Sequence, residues 1–286
     1  TNEDEIIEVL TSRTNFQRQQ IIESFKSSYD QSLIEELKSE LGGDFKSVIE
    51  GLMLTPGKFD AQELSNAMDG LGTDEHVLIE ILATRTNKEI WSLADAYQSE
   101  NASSLKESLK SENCGDFEEF LVSLLKAKRD EGYRVDESLA NQDAKCRESD
   151  TLTFGLILHC MFLSSKALTG SVVFEEYYQI TNKDIEDTIK DEMSGTFQMG
   201  MLALVQYAKN PASFFATKLY EAMSGAGTDD RSLTRIIITR CEVDMIDIKT
   251  EFLRLYGKSL YSFIEGDVGG DYRKTLLRLC GMDEDE

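Results

Sequence analysis

Apolar residues recur along this chain at helical spacing, in runs a few turns long separated by glycine-containing junctions. The C-terminal stretch shows the pattern most fully. There Thr228 is the expected cap of a helix carrying Leu233, Ile236, Ile237 and Ile238, and Met245, Ile246, Ile248, Phe252 and Leu255 continue the period. A short helix over 259–265 follows, and after Gly269-Gly270 a last one carries Tyr272, Leu276, Leu277 and Cys280. With only two prolines, few β-branched runs and abundant Leu, Ile, Glu and Lys, the pattern predicts helix throughout, an all-α fold. No apolar run approaches the roughly 18 residues of a membrane span. Trp91 lies on an amphipathic stretch (TNKEIWSLADAY) and is expected in the core.

The pattern repeats. Pro56 and Pro211 each open a helix in a short polar stretch, and each stands 17 residues ahead of the threonine of a Gly-x-Gly-Thr-Asp loop, Thr73 and Thr228. A second junction recurs as Gly42-Gly43-Asp44-Phe45, Cys114-Gly115-Asp116-Phe117, Ser194-Gly195-Thr196-Phe197 and Gly269-Gly270-Asp271-Tyr272, its aromatic residues 72, 80 and 75 positions apart. Four modules follow: residues 1–55, N-terminally incomplete, 56–126, 127–208 and 209–286. The longest polar stretch, KAKRDEGYRVD over 126–136, suggests a loose division of the chain into halves.

Charge narrows the function. With 53 acidic and 30 basic side chains the chain carries −23, so nucleic acid is excluded as a partner, because binding phosphate backbones needs clustered Lys and Arg. An anionic bilayer would also repel this surface unless a cation bridges the two. Five widely spaced cysteines without a CxxC pair fit reduced thiols in a cytoplasmic protein. The chain starts at Thr1 rather than Met, so a segment ahead of it is expected to be removed or omitted, and that segment is where a protein partner would bind.

Two loops read Met68-Asp69-Gly70-Leu71-Gly72-Thr73-Asp74-Glu75 and Met223-Ser224-Gly225-Ala226-Gly227-Thr228-Asp229-Asp230. Glycine loops commonly just reverse the chain. Here an acid stands 39 residues beyond each loop threonine, Glu112 from Thr73 and Asp267 from Thr228, and Glu40 stands at the same distance from Thr1. With acids at 53 of 286 positions, three chance coincidences amount to under about 1%. Loop carbonyls, one bidentate carboxylate and water make the six to eight oxygens that Ca²⁺ takes, whereas Mg²⁺ demands a stricter octahedron. One protein charge leaves the ion under-neutralised, free to take a lipid phosphate in place of water.

These motifs, with LKSEL, LKSEN and the ending SLYSFIEGDVGGDYRKTLLRLCG, resemble the annexins over essentially the whole chain apart from a missing start. The resemblance implies four repeats of five helices packed as a curved disc, with Ca²⁺ loops on its convex, membrane-facing side. It implies main sites from carbonyls of Met68, Gly70 and Gly72 with Glu112, and of Met223, Gly225 and Gly227 with Asp267. Minor sites would pair the carbonyl of Thr1 with Glu3, Thr73 with Glu75 and Thr228 with Asp230, although those acids equally suit a first helical turn. Charged positions matching the family's polar channel are Asp60, Glu63, Glu80, Arg85, Arg235 and Arg240, read as an ion-pair network rather than a conduit, since an unpaired buried charge is costly. The implied function is Ca²⁺-dependent peripheral binding to acidic phospholipid membranes, with self-association on the membrane as the form of any oligomer.

The third module departs from the family. Its acid position is Glu192, but the residues ahead of Thr153 (RESDTL) contain no glycine, so no main Ca²⁺ site is expected there. Arg13, Arg85 and Arg240 close the first long helix of their modules, where they complement the helix dipole and can satisfy carbonyls of a neighbouring helix, while the third module has Ser165. An enzyme is not expected: His76 and His159 lie in different modules, and no GxSxG, phosphate-binding glycine loop or HExxH occurs. A Ca²⁺-independent helical scaffold remains the rival reading.

Overall fold

The computed structural model describes residues 1–70, 72–129, 174–175, 177–179, 181–225 and 227–282. Helices α1 Glu3–Thr11, α2 Asn15–Tyr29, α3 Leu33–Glu40 and α4 Gly43–Met53 come first. A five-helix set follows, α5 Pro56–Met68, α6 Glu75–Thr84, α7 Asn87–Glu100, α8 Leu105–Glu112 and α9 Gly115–Leu125. Next are α10 Ile185–Glu192 and α11 Gly195–Lys209, then a second set of five, α12 Pro211–Met223, α13 Asp230–Arg240, α14 Met245–Tyr256, α15 Leu260–Asp267 and α16 Gly270–Cys280. Among the described residues there is no strand, only an isolated bridge between Gly225 and Gly227. Pro56 and Pro211 open their helices as their missing N–H and fixed φ predict.

Local chemistry sets the boundaries. Thr14 with Gln17, Thr86 with Glu89 and Ser104 with Glu107 form reciprocal capping boxes, each satisfying two otherwise orphaned backbone N–H groups. The second residue of each recurring junction is a glycine that adopts positive φ and starts a helix: Gly43 at 58°, Gly115 at 63°, Gly195 at 66° and Gly270 at 65°. A β-carbon is disfavoured in that conformation, so the chain turns into these four helices at glycine. One boundary differs from the sequence expectation. The cap of α13 is Asp229, whose carboxylate accepts from Ser232 N at 3.1 Å; Thr228 stands one residue ahead of the cap and its hydroxyl donates to Asp267.

The helices gather into two compact units, one of residues 1–59 with 215–286 and one of residues 60–214. The division expected at 126–136 is not a unit boundary; the chain passes between units within α5 and α12. The physical reason lies in the helix faces. In the first unit α1 packs on α16 and α4 on both α13 and α16, so the two ends of the chain share one core. Phe252, Ile248, Leu260, Ile264 and Leu276 are fully buried there, and Tyr220 stacks on Tyr256 with centroids 3.9 Å apart. In the second unit α6, α9 and α11 pack mutually, with the Phe120 ring seated where any side chain at Gly200 would lie.

Trp91 is not in a core. It is 61% exposed, and the matching residue of the last five-helix set, Ile246, is 72% exposed. Ile90 and Leu93 occupy the buried side of α7 instead. His76 is exposed at the start of α6. The third-module loop, His159, Ser165, Cys146 and Cys160 lie outside the described residues.

Candidate functional site

The site is built from two helix ends and one loop. In all four modules the acid at the counted position is the last residue of an eight-residue helix: Glu40 of α3, Glu112 of α8, Glu192 of α10 and Asp267 of α15, all exposed. A carboxylate there sits at the negative end of the helix dipole, which disfavours it in isolation. Carboxylate and dipole together make a place suited to a cation.

The loop threonine holds the acid. Thr228 Oγ1 donates to Asp267 Oδ2 at 2.6 Å, and Thr1 Oγ1 donates to Glu40 Oε2 at 2.7 Å, both across 39 residues. In the second module no hydrogen bond joins Thr73 to Glu112, and Glu112 stands exposed at its helix end.

Both complete loops close in the same way. Asp74 N donates to Ala67 O, and Asp229 N to Ala222 O, each at 2.8 Å. Gly70 (φ 119°), Gly72 (103°) and Gly227 (108°) take conformations that L side chains rarely adopt, while the side chains of Met68 and Met223 are buried and anchor the loop starts. The side chains of Asp74 and Asp229 cap the following helices, through Val77 N at 3.3 Å and Ser232 N at 3.1 Å. At the same position of the first module Asn2 Oδ1 accepts from Glu5 N at 3.4 Å. Glu3, Glu75 and Asp230 occupy first helical turns.

Electrostatics around Asp230 are unfavourable to more negative charge. Burial first, then the carboxylates of Asp44, Asp267 and Asp229, push its carboxyl above the ordinary value, although the Tyr272 hydroxyl opposes them. Asp229 moves the other way: burial works against it, but Ser232 and Arg235 hold it low. Asp44 was not singled out from sequence, yet an acid recurs at its place in the junction as Asp116 and Asp271. Among the described residues no three His, Cys, Asp or Glu side chains converge to hold a metal. The oxygens that stand together here, one carboxylate beside a threonine hydroxyl and the loop backbone, are hard donors of the kind Ca²⁺ takes.

The six charged positions matching the polar channel are all buried. In the second unit Arg85 binds Asp60 through two bonds of 2.7 and 2.9 Å. In the first, Arg240 pairs with Asp244 and lies 4.5 Å over the Phe215 ring, and Arg235 donates to Ser232 Oγ at 3.1 Å. The carbonyl-satisfying role expected of the helix-closing arginines falls to others. Buried Arg18 donates to Leu10 O, Leu52 O and Arg13 O and pairs with Glu242 at 2.6 Å. Buried Arg129 donates to Leu82 O, Ala83 O and Arg85 O. No helix among the described residues is long and apolar enough to cross a membrane.

Comparison with known proteins identifies the family and the fold. The family profile described as Annexin matches residues 1–52, 59–124, 171–204 and 214–279. Human annexin A4 is 47% identical over 292 residues, covering 99% of this chain and 90% of the relative. Human annexin A11 is 47% identical over 98% of this chain and 56% of its own length. Among solved structures, annexin III superposes with a TM-score of 0.94 at 40% identity, over 99% of this chain and 89% of that one. A calcium-bound annexin (Sm)1 gives 0.91 at 35% identity, over 99% and 86%. Four repeated matches and these relatives place the chain in the annexin family, whose members bind phospholipid in a Ca²⁺-dependent manner.

Proposed function

We propose that this chain binds acidic phospholipid surfaces peripherally through Ca²⁺ held by the loops of its second and fourth modules. The observation that supports this most is the placement of one acid at the C-terminus of a short helix, held in the fourth module by the loop threonine 39 residues away. Carbonyls of Met223, Gly225 and Gly227 with Asp267, and of Met68, Gly70 and Gly72 with Glu112, are the assigned main donors. Bound Ca²⁺ supplies a Lewis-acidic positive charge that a lipid phosphate can share. The chain's residues do the rest: glycines let the loop bend, buried methionines fix its base, and Thr228 orients the Asp267 carboxylate. Thr1 with Glu3, Thr73 with Glu75, and Thr228 with Asp230 are assigned as weaker sites, Glu40 stands at the main-site acid position of the first module, and the third module carries no main site. The module limits are 1–55, 56–126, 127–208 and 209–286, the protein works in the cytoplasm, and it is not an enzyme.

Sedimentation with phosphatidylserine vesicles across a Ca²⁺ series tests this. The Glu112→Gln, Asp267→Asn double variant keeps side-chain shape and removes both charged ligands, so its half-maximal Ca²⁺ should rise at least tenfold. Unchanged pelleting would reject the donor assignment. Pelleting of the unmodified chain in chelator would instead favour a Ca²⁺-independent scaffold.

A further inference from the structure

The fourth-module loop is joined to its acid-bearing segment by two links. The first is the bond from Thr228 Oγ1 to Asp267 Oδ2 at 2.6 Å. The second starts five residues beyond Asp267, at the aromatic residue of the glycine junction. Tyr272 is buried, and its hydroxyl donates to Asp230 O at 3.1 Å. With that proton given away, the same oxygen accepts from Thr234 Oγ1 at 2.8 Å. Asp230 opens α13, the helix the loop leads into, and Thr234 stands one turn further on. The phenol therefore ties the start of the helix after the loop to the start of α16, the helix after the acid.

No other junction carries such a group. The matching aromatic residues are Phe45, Phe117 and Phe197, which have no hydroxyl. In the second module Phe117 is buried as Tyr272 is, and Ile79 is buried at the place of Thr234, counted from Thr73 and Thr228. Neither side chain can form a hydrogen bond. Thr73 and Glu112 are not bonded to each other either. The two assigned main sites thus have the same kinds of donor and differ in how firmly the loop and the acid are held. A site that must order its donors on binding loses affinity to that ordering, and a site already held in place does not.

We propose that Tyr272 is a positioning residue for the fourth-module site, keeping loop and acid in register before a cation arrives, so that this site fills at lower Ca²⁺ than the second. The proposal rests on the Ca²⁺ reading above. Tyr272 supplies no ligand and acts through Asp230 and the first turn of α13.

Tyr272→Phe keeps the ring and removes both bonds. The net contribution of one such bond corresponds to about a fivefold change in an equilibrium constant. Pelleting with phosphatidylserine vesicles is read across a Ca²⁺ series on the full chain in two backgrounds, Glu112→Gln, which leaves the fourth-module site, and Asp267→Asn, which leaves the second. The Glu112→Gln chain should pellet at the lower Ca²⁺. Adding Tyr272→Phe should raise its half-maximal Ca²⁺ about fivefold and leave the Asp267→Asn chain unchanged. A second readout needs neither cation nor lipid: in chelator, hydrogen exchange over 227–234 should be slower than over 72–79, and Tyr272→Phe should remove most of that difference. An equal rise in both backgrounds, or a lower melting temperature with half-maximal Ca²⁺ and loop exchange unchanged, gives the hydroxyl to fold stability alone and overturns the proposal. So does pelleting of the Asp267→Asn chain at the lower Ca²⁺. Pelleting of the unmodified chain that ignores Ca²⁺ would sink the Ca²⁺ reading and this proposal with it, an outcome distinct from Ca²⁺-dependent pelleting that ignores Tyr272.

Discussion

Replacing Asp60 by Asn should destabilise the unit of residues 60–214 by about 3 kcal/mol, the lower end of the range for breaking a buried ion pair. Both partners are nearly inaccessible, 3% and 4% exposed at the side chains, and the pair is bidentate. Burial works against the Arg85 cation, but the Asp60 charge and hydrogen bonds more than offset this and hold its pKa above the ordinary arginine value. A guanidinium stays charged in a protein even when its partner is removed, so the variant leaves a buried cation without Asp60. Asparagine keeps one acceptor, and Glu80 and Glu89 still contribute favourable field, which sets the estimate at the low end. For a unit of this size the loss corresponds to a melting temperature about 6–12 °C lower. Because two units need not unfold together, the assay is urea-dependent hydrogen exchange read on peptides of α6 and α11. The Asp60→Leu, Arg85→Met double variant should cost less than either single change, since no charge is left stranded. A loss below about 1 kcal/mol for Asp60→Asn would refute the reasoning, because it would mean that water reaches the pair.

Three further outcomes follow from particular environments. Trp91 is the one tryptophan of the chain and is exposed, so emission should be red-shifted and fully accessible to acrylamide, and Trp91→Ser should alter stability by no more than about 0.5 kcal/mol; blue-shifted, protected emission would contradict this. Asp230→Asn should stabilise the cation-free protein at neutral pH, because the folded state raises that carboxyl's pKa and so disfavours its charged form. The gain should shrink as pH falls through the raised value and vanish below the unfolded value of about 4, as read by chemical denaturation of both proteins at several pH values. Burial, with Glu242, pushes the Cys241 thiol up to about 11, so thiol labelling at pH 7.5 followed by peptide mapping should modify exposed Cys114 well before Cys241.

Much of the fold was legible because helices and their boundaries are local. The apolar period, the two prolines and the recurring glycine junctions identify elements from neighbours within a few residues, and the 39-residue register between loop threonine and acid recurs as a hydrogen bond in two modules. Thr228 was misread as a cap because a threonine ahead of an amphipathic run commonly caps it. Nothing local says that its hydroxyl belongs to Asp267 and that Asp229 takes over. Trp91 was misread because its helix is amphipathic and a large aromatic favours burial, but the stripe passes through Ile90 and Leu93 and leaves position 91 outside. Asp44 escaped notice because its effect is exerted on Asp230, 186 positions away.

By itself, then, the order of residues determined where helices start, how the modules repeat and which oxygen-bearing groups stand in Ca²⁺-like register, since each depends on spacing along one strand of chain. Tertiary structure alone decided which arginine serves which carbonyls: Arg18 reaches Leu52 O and Glu242, and Arg129 reaches Ala83 O across 46 residues. It also decided that Trp91 lies outside the buried stripe of its helix. Those outcomes depend on buried polar groups having to find partners in whatever elements packing brings alongside, and sequence spacing carries no record of that neighbourhood.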